Sequence, residues 1–318
     1  MNEELIRIFL ELSELYELLD DPHRARAYLR AASDLQSGRK PSGRSINAKV
    51  LEYANTGRIK ELEQLRQHPE VASRRELGRI VGVGPATVKK WLGLNIRSVA
   101  DLRREVLAGR VKLNKAQEYG LRYYDDLNTR IPRAEVEKIF SLILSHVRKL
   151  SPDILAEVAG SYRRGAPDSG DIDILTTRKG RFDKTLLSRV LDELRRDPNF
   201  IEALAVGEER LTFLYRSPFS GRVRQIDILH IKHSSYAAAL LYFTGSWIFN
   251  ETMRGYAKSR GYRLNQTGLY RVDKNGNLKL IPTNSEEKIF ELLGLRYIPP
   301  AARGARYLGP GTKYMMEN

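Results

Sequence analysis

Three carboxylates carry the first chemical signal in this chain. Asp171-Ile172-Asp173 opens the β-rich run DIDILTT, and on a strand residues i and i+2 share a face, so the two acids point into one space. Two anions that close repel each other. A divalent cation with a preference for oxygen ligands relieves the repulsion, and carboxylates plus substrate phosphates are the usual ligands of Mg²⁺ in phosphoryl transfer. A third acid, Asp227, lies in a second apolar run, Arg224-Gln225-Ile226-Asp227-Ile228-Leu229, where an unpartnered carboxylate is costly. Three converging acids suit a site for two metal ions. Taken alone, Asp-x-Asp reads more readily as a turn pair, and Asp227 as a salt-bridged strand residue.

The segment before the first acid shifts that balance. Gly160-Ser161-Tyr162-Arg163-Arg164-Gly165, with Ser169-Gly170 abutting Asp171, offers small residues whose backbone N–H groups can meet a phosphate. Ser161 and Ser169 supply hydroxyls, and Arg164 can grip a triphosphate with two parallel bonds. Donors and acids in one window fit nucleotidyl transfer better than an ordinary glycine turn. A separate phosphate signal is Val81-Gly82-Val83-Gly84-Pro85-Ala86-Thr87-Val88-Lys89-Lys90. Glycines between two helices, Pro in a first helical turn and two lysines just after it make a helix–hairpin–helix, which holds DNA by its backbone without reading sequence.

The elements that must position these residues follow from patterning. Leu5, Ile8, Phe9, Leu12, Leu15, Tyr16 and Leu19 recur at three- and four-residue spacing, which predicts an amphipathic helix over 3–19. Further helices are expected at about 23–36, 46–55 and 58–67, then shorter ones from 73 to 124, and one between Pro132 and Pro152. Beyond Pro152, EVAGSY, DIDILTT, RLTFLY and RVRQIDILHI read as strands around a helix at about 183–196. A helix at 247–260 and hairpin material to Leu280 follow. The expected fold is α+β, in four parts: a helical domain 1–67, a helix–hairpin–helix subdomain 68–131, a sheet domain 132–232 carrying the acids, and a C-terminal α+β subdomain 233–318.

Composition excludes several classes. With 42% apolar and 29% charged residues the chain can bury a core, so disorder is not its whole state. No apolar run reaches the roughly 18 residues of a spanning helix, and the acidic start MNEELIRIF is unlike a secretory signal, so a soluble, intracellular protein is expected. The absence of cysteine removes disulfides and thiolate chemistry. The net charge of +15 points to an anionic partner. Residues 22–130 hold 23 bases against 11 acids and residues 131–318 hold 30 against 21, so the excess is not a basic tail.

The stretches GSYRRGAPDSGDIDIL (160–175), QIDIL and LLYFTGSWIFNETMRGYAKSRGYRLN (240–265) resemble the X family of DNA polymerases, of the beta and lambda type. The resemblance extends to the N-terminal helices and so over nearly the whole chain. It implies that Asp171, Asp173 and Asp227 bind two Mg²⁺, with Mn²⁺ as an alternative, and that Asp227 helps to activate a primer 3′-hydroxyl. Arg130, Ser161, Arg164, Ser169 and Gly170 match positions that bind the deoxynucleoside triphosphate. Tyr242-Phe243-Thr244-Gly245-Ser246 would form the turn against its sugar, at the start of a helix, and Asn250 and Arg254 would touch the nascent pair. Gly82, Gly84, Ala86, Lys89 and Lys90 would hold DNA. Trp247 replaces a small or polar residue beside the base and is expected to stack on it. Leu229 replaces an arginine that in the beta enzyme can pair with a catalytic acid.

The first helical domain resembles the family's deoxyribose-phosphate lyase domain. His23, Arg24, Tyr28 and Lys49 fall on matched positions, and Lys49 is the candidate Schiff-base nucleophile, a role that needs a depressed pKa. Ser45 and Glu61 stand where the family often has lysines. The expected function is template-directed gap filling in base excision repair by a monomer, on gapped or nicked duplex DNA, with 5′-deoxyribose-phosphate lyase activity and a nuclear location, or a cytoplasmic one in a bacterial or viral source. End-joining or template-independent synthesis, or a DNA-end-binding module, are the alternatives. No role is read for residues 304–318.

Overall fold

The apolar stripe of the first helix is buried as its spacing demands: Leu5, Phe9, Leu12 and Leu15 of α1 (Asn2–Leu18) all lie in the interior. The computed structural model describes residues 2–36 and 38–303, so the segment 304–318 lies outside the described residues. Two units divide between Tyr124 and Asp125. The first is helical throughout. It continues with α2 (Pro22–Gln36), α3 (Arg44–Thr56), α4 (Lys60–Arg66), α5 (Pro69–Gly78), α6 (Pro85–Gly93), α7 (Val99–Leu107) and α8 (Lys115–Arg122).

Local chemistry sets the ends of these helices. Gly57 stops α3 in the left-handed region at φ 67°, its N–H donating to the Tyr53 carbonyl. Ser98 caps α7 by accepting from the Asp101 N–H, and Asn114 and Gln117 cap α8 reciprocally. Gly82 is required twice over: its φ is 79°, and a Cβ there would sit 2.7 Å from the Ala116 Cβ. The loop between α5 and α6 therefore packs directly onto α8.

The short helix α9 (Tyr124–Leu127) spans the division. The second unit runs β1 (Ile131–Pro132), α10 (Arg133–Leu150), β2 (Leu155–Val158), α11 (Gly160–Arg163), β3 (Asp168–Ser169), β4 (Ile172–Arg178), α12 (Leu186–Leu194), β5 (Phe200–Val206), β6 (Arg210–Arg216) and β7 (Val223–Lys232). It closes with α13 (Tyr236–Thr244), α14 (Trp247–Ser259), β8 (Tyr262–Asn265), β9 (Gly268–Val272), β10 (Leu278–Ile281) and α15 (Glu286–Leu292). A five-stranded sheet has the order β2-β4-β7-β6-β5, with β4 and β7 parallel and the other pairs antiparallel. β8, β9 and β10 form a separate three-stranded sheet, and β1 pairs with β3. The α+β class expected from the sequence is observed, and no helix among the described residues is long and apolar enough to cross a membrane.

Some elements differ from the sequence expectation. Gly160–Arg163 is a helical turn where a strand was expected, entered through Gly160 at φ 58°. β5 has bulges that break the alternation a strand reading depends on. α13 is apolar on almost every side, so it has no periodic stripe to detect, and Tyr242 and Phe243 lie at its end, not at the start of a helix.

The central sheet is anchored by one buried ion pair. Arg224 of β7 is 2% exposed and holds Glu135 of α10 through two bonds of 2.9 and 3.1 Å. Its remaining nitrogen donates to the carbonyls of Thr129 and Asp126, and Ser220 donates to Glu135. Truncating one partner leaves an uncompensated buried charge. Arg224→Ala is expected to lower unfolding free energy by about 3 kcal/mol or more, measured by denaturant titration; a loss below about 1 kcal/mol would mean that water already shares this pair.

Candidate active site

Strand alternation divides the two faces of the sheet. Ile172, Ile174, Ile226 and Ile228 point into the core built with α10 and α12, whereas Leu175 and Leu229 point the other way, against Ala239 and Leu240 of α13. Asp171, Asp173 and Asp227 have the parity of Leu175 and Leu229, so they emerge on the α13 side near the start of β4. Parallel pairing puts Asp173 directly beside Asp227. One carboxylate oxygen from each of the three acids lies within 4.8 Å of the other two, grading from exposed Asp171 to buried Asp227.

Asp227, 1% exposed, is held by neighbours that the sequence reading did not single out. Arg210 of β6 bonds its Oδ1 at 2.9 Å, the Thr212 hydroxyl donates to the same oxygen, and Gln225 Nε2 donates to Oδ2 at 2.9 Å. Thr212 is the register partner of Asp227 on the antiparallel strand. Gln225 is two residues upstream on the same strand. The period-2 pattern would have identified Gln225; Thr212 and Arg210 needed the register. Leu229 is buried in the apolar layer beneath α13.

The acids pay for their proximity in proton affinity. Loss of water around the carboxylate, followed by the charges of Asp171 and Asp227, pushes Asp173 up to about 7. Asp171 is raised too: although the residue reaches solvent, protein crowds its carboxylate and the Asp227 charge adds to this. An all-oxygen donor set whose members resist ionising together fits a hard divalent cation, Mg²⁺ or Mn²⁺.

The phosphate-loop residues gather beside this cluster. Gly160 leaves so little room that a Cβ would lie 3.3 Å from Asp173 Oδ2. Ser161 Oγ donates to Ser169 Oγ at 2.9 Å, and Gly170 sits against the Arg130 guanidinium. Arg130 itself is paired with Asp168 at 2.7 Å and is exposed. Arg164 is half-buried, and its described hydrogen bond goes to a carbonyl, Thr244 O at 2.6 Å. Burial lowers its pKa with no carboxylate to offset it, which leaves a cation ready for an anion.

The turn after α13 is tied to the same loop. Arg163 donates to Thr244 Oγ1 and pairs with Glu286 of α15, and Glu286 also pairs with the fully buried Arg303. The Arg303 carbonyl accepts the Ser246 N–H, and its guanidinium lies over Phe249, Phe290 and Tyr297. Gly245 follows Thr244 at φ 66° and abuts Arg164. Asn250 Nδ2 donates to the Tyr242 carbonyl and Arg254 lies over the Tyr242 ring, so both are directed at the turn. Phe243 packs edge-on against Tyr242. Trp247 is 56% exposed.

In the helical unit, Tyr16, Arg24, Tyr28, Ser45, Lys49, Glu52 and Glu61 line a cavity of about 760 Å³. His23 is exposed beside it in sequence and does not line it. Tyr28 stacks on Tyr16, and the Tyr16 hydroxyl donates to Glu61. Lys49 Nζ sits 3.0 Å from Glu61 and 3.2 Å from Glu52. Burial works to lower Lys49, but the two carboxylates outweigh it and hold the ammonium above its usual value. The depressed pKa that a Schiff-base nucleophile needs is therefore absent, because Glu61 and Glu52 flank the amine. In the helix–hairpin–helix, Gly84 precedes α6, Ala86 and Lys90 are exposed, and Lys89 is paired with Asp20.

The Asp173 shift has a stability consequence. Its folded pKa lies above the unfolded one, so the folded state binds the extra proton between about pH 4 and 7, and stability is lost as pH rises through that window. In metal-free buffer, Asp173→Asn should therefore be more stable than wild type at pH 8, with the gap closing toward pH 4. Parallel stability–pH curves from thermal unfolding would contradict this.

Residues 75–128 match the family described as the fingers domain of DNA polymerase lambda, residues 130–233 the DNA polymerase beta palm, and residues 239–304 the DNA polymerase beta thumb. DNA polymerase lambda of Rattus norvegicus is 32% identical over 92% of this chain and 54% of its own length. DNA polymerase lambda of Arabidopsis thaliana is 29% identical over 95% of the chain and 62% of its own length. DNA nucleotidylexotransferase of Xenopus laevis is 28% identical over 94% and 68%. The chain thus spans between about half and two thirds of the curated relatives it matches. With fingers, palm and thumb segments in succession and three acids converging in the palm segment, the chain belongs to the DNA polymerase beta/lambda family, the X family.

Proposed function

We propose that the chain is a template-directed DNA polymerase that adds deoxynucleotides to a primer 3′-hydroxyl in short gaps of duplex DNA, in a repair role. The observation that carries this reading is the convergence of Asp171, Asp173 and Asp227, with Gly160 of the phosphate loop against Asp173 and Arg164 of the same loop bonded to the Thr244 carbonyl. The three acids would hold two divalent cations, which when bound supply Lewis-acid stabilisation of the reacting phosphate and a more acidic 3′-hydroxyl. Arg164 with Ser161, Ser169 and Gly170 would bind the triphosphate, and Arg130 would join them on leaving Asp168. Tyr242, Phe243 and Gly245 would bound the sugar, with Asn250 and Arg254 beyond them and Trp247 at the base. The backbone around Gly82 and Gly84, with Ala86, Lys89 and Lys90, would hold DNA by its phosphates. The four parts 1–67, 68–131, 132–232 and 233–318, a monomeric state and a nuclear location belong to the same proposal.

Primer extension on a one-nucleotide gap with Mg²⁺ tests it. Wild type is expected to insert the complementary deoxynucleotide, and Asp227→Ala to lose at least about a hundredfold in rate. No insertion by wild type would sink the polymerase reading; insertion by Asp227→Ala at the wild-type rate would sink the site.

The lyase reading is carried by Lys49 in its cavity, with Tyr28 and Arg24 beside it. Because Glu61 and Glu52 hold the ammonium, Lys49 should trap a 5′-deoxyribose-phosphate gap under borohydride slowly at pH 7 and faster as pH rises. Glu61→Gln removes one restraining charge, lowers the Lys49 pKa and should speed trapping at pH 7 by about threefold. Trapping that survives Lys49→Ala would remove Lys49 from the reaction.

A further inference from the structure

Asp227 already has a cation. The Arg210 guanidinium meets its Oδ1 through Nε and a terminal nitrogen, both at 2.9 Å, and the Thr212 hydroxyl donates to that same oxygen. A carboxylate oxygen has about two lone-pair directions, so Oδ1 is fully engaged. Oδ2 accepts from Gln225. Thr212 and Gln225 are neutral and only orient the carboxylate, whereas Arg210 brings a full positive charge to the place where another cation would have to arrive. The Arg210 charge also acts on the other two acids, opposing the rise in both Asp171 and Asp173.

Arg210 is placed to leave. Its side chain is 57% exposed although its partner is 1% exposed, so withdrawal needs rotation about side-chain bonds only. On β6 it lies opposite Leu229, two residues before the register partner of Asp227, and reaches forward along the strand, donating to Thr212 Oγ1 at 3.2 Å. A buried structural pair looks different: Arg224, 2% exposed, spends every nitrogen on protein acceptors.

We propose that Arg210 is a positioning residue that substitutes for a divalent cation at Asp227, keeping the three carboxylates together when no metal is bound and setting the affinity at which a metal displaces it. The inference rests on the three acids being a metal site. Removing the charge while keeping a polar stem then removes a competitor, so binding tightens; a merely structural role would leave binding unchanged or weaken it.

The test is Mn²⁺ titration of the full chain without DNA or nucleotide, reading free Mn²⁺ by electron paramagnetic resonance. Arg210→Gln is expected to bind about tenfold more tightly than wild type, a modest share of what a unit charge at this distance can exert. Arg210→Lys should stay close to wild type, and Arg210→Gln combined with Asp227→Asn should lose the gain. Circular dichroism verifies that each variant is folded. Folded Arg210→Gln that binds Mn²⁺ no more tightly than wild type overturns the inference while leaving the metal site standing. Wild-type binding that survives Asp171→Asn and Asp227→Asn overturns the metal site, and this inference with it.

Discussion

Repulsion among three carboxylates is the constraint around which the second unit is organised. Parallel, in-register pairing of β4 and β7 gives Asp173 and Asp227 no freedom to move apart, and the sequence Asp-Ile-Asp adds Asp171 on the same face. The fold therefore contains a place where negative charge is held against its own interest. Burial first, and then the charges of Asp171 and Asp227, push Asp173 up to about 7. A site of this kind is of little use to a scaffold, and of great use to a protein that concentrates positive charge where phosphates react.

The surrounding residues answer that charge in different ways. Arg210 and Thr212 meet Asp227 directly. Arg164 is half-buried, donates to the Thr244 carbonyl and has its pKa lowered by burial alone, and so remains available to an anion. Arg163, Glu286 and Arg303 form a third tier, linked by ion pairs through Glu286, that connects the phosphate loop to the turn after α13. A buried pair contributes little net stability when measured against an apolar replacement, so the value of this tier lies in fixing where Thr244 and Gly245 stand relative to Arg164.

Much of this was legible in the sequence, and the limits have physical causes. Period-2 alternation located both acid-bearing strands and put Asp171 and Asp173 on one face, because that periodicity is intrinsic to a strand. The α1 stripe was readable for a similar local reason. Pairing across strands is not local: only the register brings Thr212 and Arg210 to Asp227. The helix α13 was invisible because burial on every side removes the amphipathic signal, and β5 because bulges interrupt its alternation. At Lys49 the departure of Glu61 from the family pattern was visible, but that it lies 3.0 Å from the amine was not.

The central claim is that Asp171, Asp173 and Asp227 together form a divalent-cation site. Crystals grown with Mn²⁺ and measured near the manganese absorption edge test it most directly. The account predicts an anomalous peak coordinated by oxygens of these acids, including Asp227, with the Arg210 guanidinium withdrawn from Asp227 Oδ1. Density without such a peak, or a manganese bound elsewhere while Arg210 still holds Asp227, would contradict it.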